Sequence, residues 1–270
     1  MKELLIRSLS GLVLGGVVLA CILISPLTFA ALALLICAIG TYEMARLQSV
    51  THSVHRLIGE TFVVLSYIVA ALVGLELIPT KWLLIELLFP LFAFLMALFS
   101  KKYDFKQISA FVFGSMLYLA LPMSLMVFMY RHDLFGDLAG ARIIILIFCL
   151  LWTNDIFAYL TGHLFGKHKL FERISPGKTI EGSIGGLLFT LIGVVVFCHY
   201  ASWLPVSTGI GLGLIAVIFG TLGDLCESML KRQAGVKDSG KLIPGHGGIL
   251  DRFDSVLFSV PFVFVFLLLV

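Results

Sequence analysis

Long apolar runs separated by short polar breaks recur along the whole chain. Stretches such as LLFPLFAFLMALF (87–99) and SVLFSVPFVFVFLLLV (255–270) contain no charged residue. A helix needs roughly twenty apolar residues to cross a bilayer. Cutting at the charged, Pro- or Gly-marked breaks predicts spans at 4–24, 27–47, 61–78, 82–99, 108–130, 141–162, 183–203, 209–230 and 250–270. We therefore predict an all-α polytopic membrane protein with about nine transmembrane helices.

The basic residues between these spans orient the chain. If the N-terminus is cytoplasmic, 16 of the 19 Lys and Arg residues fall in cytoplasmic segments, Lys101 and Lys102 among them, and the other side keeps Lys81, Arg131 and Arg142. Cytoplasmic loops of membrane proteins carry such an excess of positive charge. The N-terminus is therefore predicted inside and the C-terminus outside.

Composition indicates one integral domain. The chain is 60% hydrophobic and 13% charged, with a mean hydropathy of +1.08, whereas soluble domains are about 45–50% apolar. The net charge of +3 says little by itself, because the placement of Lys and Arg matters more in a membrane protein, and we expect no nucleic-acid partner. The five cysteines lie in apolar runs without metal or redox spacing. Residues 1–270 are predicted to form a single integral membrane domain, in which 1–140 have no assigned role and 141–270 contain the catalytic helices.

Two segments on the predicted cytoplasmic side are too polar to be buried in lipid. The first loop, residues 163–182, contains SPGKTIEG, and the second, residues 231–252, contains KDSGKLIPGHGGILDR. Both are rich in Gly, His and Lys. We expect them to face one another on the same side of the membrane.

Acidic residues stand at the helix ends beside these loops. Asp155 lies in span six, Asp224 and Glu227 lie near the end of span eight, and Asp251 and Asp254 open span nine. Ionisable groups so close to hydrocarbon are usually functional or paired. Carboxylates that converge at a membrane edge suit Mg²⁺ rather than zinc. The alternative is that they form interfacial ion pairs with neighbouring Lys and Arg.

Cationic residues and glycines in the second loop predict a phosphate site. Lys237 and Lys241 are mobile cations, and Gly247 with Gly248 allows backbone N–H groups to form an anion-binding nest. A helix that begins near Leu250 would add the positive end of its dipole. The alternative is a flexible turn with a solvated basic rim.

The first loop contains GKT at 177–179, which is not a Walker A motif. That motif requires a glycine five residues before Gly177, where Glu172 stands, and a preceding strand. A Ser-Pro turn followed by a Gly-rich helix start is predicted instead, with Ser175 and Thr179 as phosphate donors or helix caps. Lys178 is the strongest functional candidate in this loop.

Residues 228–254, SMLKRQAGVKDSGKLIPGHGGILDRFD, resemble the signature of the bacterial phosphatidate cytidylyltransferases (CDP-diacylglycerol synthases). Its fixed positions are all matched, by Ser228, Lys231, Arg232, Lys237, Asp238, His246, Gly247, Gly248, Asp251, Arg252 and Asp254. The upstream DIFAYLTGHLFGK and SPGKTIEG are similar to the family's second recurrent region, with Asp155, Lys167, Ser175, Lys178, Thr179 and Glu181 in matching positions. The resemblance covers residues 155–254.

The resemblance implies that CTP and phosphatidate react to give CDP-diacylglycerol and pyrophosphate. It implies an enzyme of the inner (cytoplasmic) membrane whose active site faces the cytoplasm, and a homodimer is compatible with it. It also implies Mg²⁺, with a second ion left open, at Asp224 and Asp251, with Asp155, Glu227 and Asp254 as further candidates.

The other site residues follow from the same resemblance. The expected catalytic residues are Asp224, Asp251, Lys237, His246 and Arg252. The expected substrate-binding residues are Lys178, Ser175, Thr179, Lys231, Arg232, Lys241, Gly247 and Gly248.

Two other functions are compatible with parts of this pattern. A CTP-dependent polyprenol or phytol kinase would use the same nucleotide and metal but attack the γ-phosphate with a lipid alcohol. A secondary transporter would place its acids near the bilayer midplane, whereas most acids here cluster at one edge. Glu86 in span four is expected to pair with a polar partner or to mark a lipid access route.

Overall fold

The protein is built almost entirely of helices. The computed structural model describes residues 2–50, 53–99 and 105–270. The first half contains α1 (Lys2–Ile24), α2 (Pro26–Leu47), α3 (Ser53–Gly74), a 3₁₀ segment (Thr80–Leu87), α4 (Leu88–Phe99), α5 (Phe105–Ser115), a π-helical turn (Met116–Ala120) and α6 (Leu121–Phe128). The second half contains α7 (His132–Phe135), a 3₁₀ turn (Gly136–Leu138), α8 (Ala141–Phe165), α9 (Ile180–Tyr200), α10 (Val206–Gln233) and α11 (Leu250–Leu269).

Seven helical segments among the described residues are long and apolar enough to cross a membrane. They are Pro26–Leu47, Arg56–Gly74, Phe105–Phe128, Ala141–Phe165, Ile180–Tyr200, Val206–Gln233 and Leu250–Leu269. Each coincides with a predicted span, so the prediction of a polytopic helical membrane protein is confirmed.

The other two predicted spans are shorter or irregular. The first coincides with α1, whose apolar described part is Leu9–Ile24. The fourth coincides with the 3₁₀ segment and α4, which has only 12 residues. The count of nine and the orientation of the termini therefore stay predictions. Lys101 and Lys102 of the following loop lie outside the described residues.

A β-hairpin lies within the first polar loop, where only a turn and a helix start were expected. β1 (Lys169–Phe171) pairs antiparallel with β2 (Ser175–Thr179). The predicted Ser-Pro turn is wrong, because Ser175 and Pro176 lie in β2. Proline, which has no backbone N–H, is tolerated there because both strands of a two-stranded sheet are edge strands. The predicted helix cap is confirmed, since Thr179 Oγ1 accepts a hydrogen bond from the Gly182 N–H at 3.1 Å.

Residue contacts divide the chain into two compact units, of which the first comprises Met1–Tyr130 and Gln233–Phe253. In its core, Tyr67 of α3 donates to the Ala30 carbonyl of α2 at 2.7 Å. Ser66 Oγ donates to Glu86 Oε2 at 2.5 Å, so Glu86 has a polar partner, one of the two expectations for it. The unit joins the N-terminal helices to the second polar loop.

The second unit comprises Arg131–Arg232 and Asp254–Val270, and glycines allow its helices to approach closely. A Cβ on Gly185 of α9 would lie 2.2 Å from Thr161 Oγ1 of α8. A Cβ on Gly223 of α10 would lie 2.7 Å from the Asp254 carbonyl of α11. Small residues permit such contact between membrane helices. The approach at Gly223 brings the neighbouring Asp224 close to Asp254 of α11.

The two units differ in one respect from the predicted organisation. Residues Gln233–Phe253 group with the N-terminal helices rather than with the rest of 141–270. The catalytic role of 141–270 stays a prediction.

Candidate functional site

A pocket of about 550 Å³ lies in the second unit among α8, the hairpin, α9 and α10. Its lining includes Asp155, Ser175, Lys178, Thr179 and Asp224. Pockets for small ligands measure about 300–1,000 Å³, so this one has room for a small molecule. Five predicted residues from three separate parts of the sequence thus line one cavity.

Opposite charges meet in this pocket. Lys178 Nζ lies 2.5 Å from Asp224 Oδ2, and the two side chains are 27% and 31% exposed, respectively. Asp254 interacts electrostatically with Asp224, Asp155 and Lys178. Asp254 thus interacts with two further carboxylates as well as with the Lys178 ammonium group, and this excess of negative charge favours binding of a cation.

The orientation of Asp224 follows from local packing. Gly220 and Gly223 lie on the same side of α10, and a Cβ on Gly220 would lie 2.5 Å from Leu151 Cδ2 of α8. Ser228, one helical turn further along, donates to Asp224 Oδ1 at 3.3 Å. The glycines allow α10 to pack closely against α8 and α11, and the serine orients the carboxylate.

The chemistry of this cluster fits a hard divalent cation. Within the described residues, no group of three or more His, Cys, Asp or Glu side chains is arranged as a complete metal site. Mg²⁺, however, commonly takes one or two carboxylates and fills its shell with waters and substrate phosphates. Asp224 Oδ2 already contacts a positively charged group, the Lys178 ammonium.

Glu227, Lys231 and Arg232 make structural contacts beside the pocket. Glu227 Oε2 lies 2.5 Å from Lys231 Nζ, and the Glu227 side chain is fully buried. Arg232 Nε donates to the Ile174 carbonyl in the hairpin turn at 3.3 Å. For Glu227 the ion-pair interpretation is the one that the contacts favour, while the metal and substrate roles of the three residues stay predictions.

In the first unit, Asp251 holds the second polar loop together. Its Oδ2 accepts hydrogen bonds from the Ser239 N–H at 2.8 Å, the Ser239 hydroxyl at 2.9 Å and the Gly248 N–H at 2.8 Å. Gly247 has a φ of +82°, and a Cβ there would lie 2.5 Å from Asp251 Oδ2. Gly247 is therefore needed both for its left-handed backbone and for the space beside Asp251.

The remaining predicted residues of this loop differ in exposure. Lys237, Lys241 and Arg252 are exposed, as cations that meet a soluble anion should be. His246 is partly buried, with its Nδ1 2.8 Å from Ser10 Oγ of α1. Their catalytic and binding roles stay predictions.

Glu43 of α2 is a site residue that the sequence reasoning missed. It is 3% exposed, and it accepts hydrogen bonds from the Ile249 and Leu250 N–H groups, each at 3.0 Å, and from the Ser239 hydroxyl at 2.8 Å. An acid inside predicted span two was the available signal. The first N–H groups of the helix whose dipole was expected to favour phosphate are thus bonded to a protein carboxylate.

Comparison with known proteins agrees with the sequence signature. The model of the cytidylyltransferase family matches residues 5–270. Proteins named phosphatidate cytidylyltransferase are similar to part of the chain: 47% identical over 142 residues in Staphylococcus haemolyticus, covering 52% of this chain and 54% of that protein.

Two further relatives give the same picture. The Staphylococcus aureus protein of that name is 46% identical over 142 residues, again 52% of this chain and 54% of the relative. The Haemophilus influenzae protein is 46% identical over 138 residues, 49% of this chain and 47% of the relative. The chain spans about half the length of the curated relatives it matches. Because the family model covers nearly all of its residues, the chain belongs to the cytidylyltransferase family.

Proposed function

We propose that this protein is a phosphatidate cytidylyltransferase, which converts CTP and phosphatidate to CDP-diacylglycerol and pyrophosphate. The observation that supports this most directly is the pocket in which Asp155, Asp224 and Lys178 meet, in a chain of the cytidylyltransferase family. The names of the relatives support the lipid substrate.

In the proposed reaction, a phosphate oxygen of phosphatidate attacks the α-phosphorus of CTP. The bond between the α-phosphorus and the bridging oxygen breaks, and pyrophosphate leaves with the electron pair. Alignment of reactants and neutralisation of charge provide most of the rate in such transfers. Lys178 in the pocket and Lys237, Lys241 and Arg252 on the second loop are the cations proposed to neutralise the phosphates.

The carboxylates have a separate proposed role. Asp224, with Asp155 and Asp254 near it, would hold Mg²⁺, and Asp251 of the second polar loop is the other carboxylate proposed to hold it. When bound, the metal would neutralise phosphate oxygens and align the two substrates. Thr179 is proposed to shape the pocket, since its hydroxyl caps α9.

We further propose a location consistent with these substrates. The charge distribution of the sequence supports nine spans with a cytoplasmic N-terminus. That topology places both polar loops on the cytoplasmic side of the inner membrane, where soluble CTP and the lipid phosphate can meet. A homodimer remains compatible with this arrangement.

Product analysis of the purified protein tests the reaction. With phosphatidate and CTP labelled at the α-phosphate, we expect labelled CDP-diacylglycerol and one pyrophosphate per turnover. Chelation of Mg²⁺ should stop the reaction and added Mg²⁺ should restore it. Formation of CDP and a phosphorylated lipid alcohol would instead identify a kinase.

A matched pair of variants tests the pocket. Asp224→Asn should lower kcat/KM by about 100-fold or more, because a catalytic metal contributes several kcal/mol. Asp137→Asn, which changes an exposed acid in the 3₁₀ turn, should retain the wild-type rate. Equal activity of the two variants, both folded by thermal unfolding, would disprove the assignment of this pocket.

A further inference from the structure

We propose that Glu43 is a positioning residue, whose carboxylate holds the second polar loop in the geometry that the reaction requires. The inference rests on the proposed function for its kinetic consequence alone. Its structural consequence, order in the loop from Ser239 to Leu250, is independent of the activity. It assigns a role to the N-terminal helices, for which the sequence suggested none.

The carboxylate of Glu43 joins the two ends of this loop. Oε1 accepts from the Ile249 N–H and Oε2 from the Leu250 N–H, both at the start of α11, while the Ser239 hydroxyl at the other end donates to Oε2. The first N–H groups of a helix have no partner within the helix. A carboxylate there satisfies them and interacts favourably with the helix dipole. Glu43 therefore acts as a cap supplied by another helix.

Glu43 and Asp251 are connected through one hydroxyl group. Ser239 Oγ lies 2.8 Å from Glu43 Oε2 and 2.9 Å from Asp251 Oδ2. A serine hydroxyl has a single proton to donate, so the two carboxylates share it. A displacement of Glu43 changes the position of Ser239, and through it the orientation of Asp251.

The loop has glycines where this carboxylate lies against it. A Cβ on Gly240 would be 2.3 Å from Glu43 Oε1, and a Cβ on Gly248 would be 2.4 Å from both oxygens of the carboxylate. A side chain at either position would displace Glu43. The loop and α2 are therefore complementary in shape as well as in hydrogen bonding.

A second contact from the N-terminal helices supports the same role. Ser10 of α1 donates to the Pro244 carbonyl at 3.0 Å and lies 2.8 Å from His246 Nδ1. The middle of the loop thus contacts α1, while its two ends contact α2. A misplacement of about 1 Å can lower a rate by about 100-fold, so contacts that fix the loop bear directly on catalysis.

Hydrogen exchange and kinetics of Glu43→Gln test this inference in the full-length protein. Gln keeps the size of the side chain but presents an NH₂ group where two N–H donors require an acceptor. We expect faster exchange in peptides from 239–250, unchanged exchange in α8 and α9, and a fall of about 100-fold in kcat. Because Lys178, outside this loop, is also proposed to bind CTP, the KM for CTP should change less than kcat.

Glu60→Gln is the matched control. Glu60 lies in α3 of the same unit and pairs with Arg56 at 3.1 Å, one turn away on the same helix. This variant should leave loop exchange and kcat unchanged. If both variants, or neither, alter the loop, the proposal is overturned.

Further variants separate positioning from folding. Ser239→Ala removes only the shared hydroxyl and should also increase exchange in the loop, which preserves the test if Glu43→Gln fails to fold. Glu43→Asp keeps the charge on a shorter side chain and should recover part of kcat.

Increased exchange spread evenly over all helices would mean that Glu43 serves overall stability alone, and the proposal would be wrong. Absence of CDP-diacylglycerol synthesis by the wild-type protein would refute the proposed function, while the exchange result would still decide the role of Glu43.

Discussion

Gly235 and Gly247 share a backbone conformation but differ in their surroundings. Both have positive φ, +71° and +82° respectively. A Cβ on Gly235 would meet no atom within 4 Å, whereas one on Gly247 would collide with Asp251 Oδ2 at 2.5 Å. The pair therefore separates the effect of backbone conformation from the effect of contact with Asp251.

Alanine at each position should give different results. Either substitution strains a left-handed residue by roughly 1–2 kcal/mol, and Gly235→Ala should show only this loss of stability. Gly247→Ala should also displace Asp251 and lower kcat/KM by about 100-fold. Thermal unfolding and the CTP assay measure the two effects. If the two variants have the same activity, Asp251 does not depend on the space beside Gly247.

The sequence revealed some site residues because they stand out from their neighbours. Asp155 and Asp224 are charges within apolar helices, so their unfavourable location is visible without a structure. Glu43 is equally visible in α2, but its meaning depends on the N–H groups of Ile249 and Leu250. Contacts over such a separation follow from how helices pack, which a single sequence does not specify.

At the scale of elements, two glycines on α9 differ in how they affect its packing against α8. A Cβ on Gly185 would lie 2.2–2.6 Å from the side chain of Thr161, and a Cβ on Gly193 two turns later would meet nothing within 4 Å. Thr161 is β-branched and stiff at χ1, so it cannot readily move away. Gly185 therefore lies at the contact between α8 and α9, and Gly193 does not.

Alanine substitutions on α9 test this difference. Gly185→Ala should destabilise the protein by about 1–3 kcal/mol through overpacking, whereas Gly193→Ala should be neutral or slightly stabilising, since alanine is the better helix former. Thermal unfolding in detergent gives the comparison. A stable Gly185→Ala variant would show that the two helices can separate without loss.

The regular helices were predictable, while the irregular elements were not. Each of the seven long apolar helices in the described part of the chain coincides with a predicted span, because bilayer thickness sets a length that the sequence displays. The hairpin, with strands of three and five residues, is too short to produce a readable periodicity. The same holds for the π-helical turn at Met116–Ala120, which interrupts a continuous apolar run.

At the scale of the whole molecule, each compact unit is formed by two segments that are not consecutive in the sequence. The loop that precedes α11 belongs to the same unit as the N-terminal helices. The other unit contains α7, α8 and α9, nearly all of α10 and most of α11. Sequence reasoning assigned catalysis to the second half because the chemically distinctive residues are there. The hydrogen bonds of Ser10 and Glu43 show that the N-terminal helices contact the second polar loop.

Membrane topology can be tested with single cysteines in a background lacking the native five. Asp137→Cys and Glu172→Cys lie in exposed turns, one before α8 and one in the hairpin. With a cytoplasmic N-terminus and nine spans, an impermeant thiol reagent should label Asp137→Cys in intact cells and Glu172→Cys only after lysis. The reverse pattern would invert the proposed orientation.

The hydrogen bond between Glu43 and Ile249 joins residues that are 206 positions apart. A ribosome that adds about 5–20 residues per second needs roughly 10–40 s to make that interval. During this time α2 must enter the membrane with its carboxylate unsatisfied, which is tolerable because Glu43 stands one turn from the helix end at Leu47 and can remain near the interface. Its partners at Ile249 and Leu250 arrive only with α11, so interrupted synthesis leaves Glu43 at the interface without them.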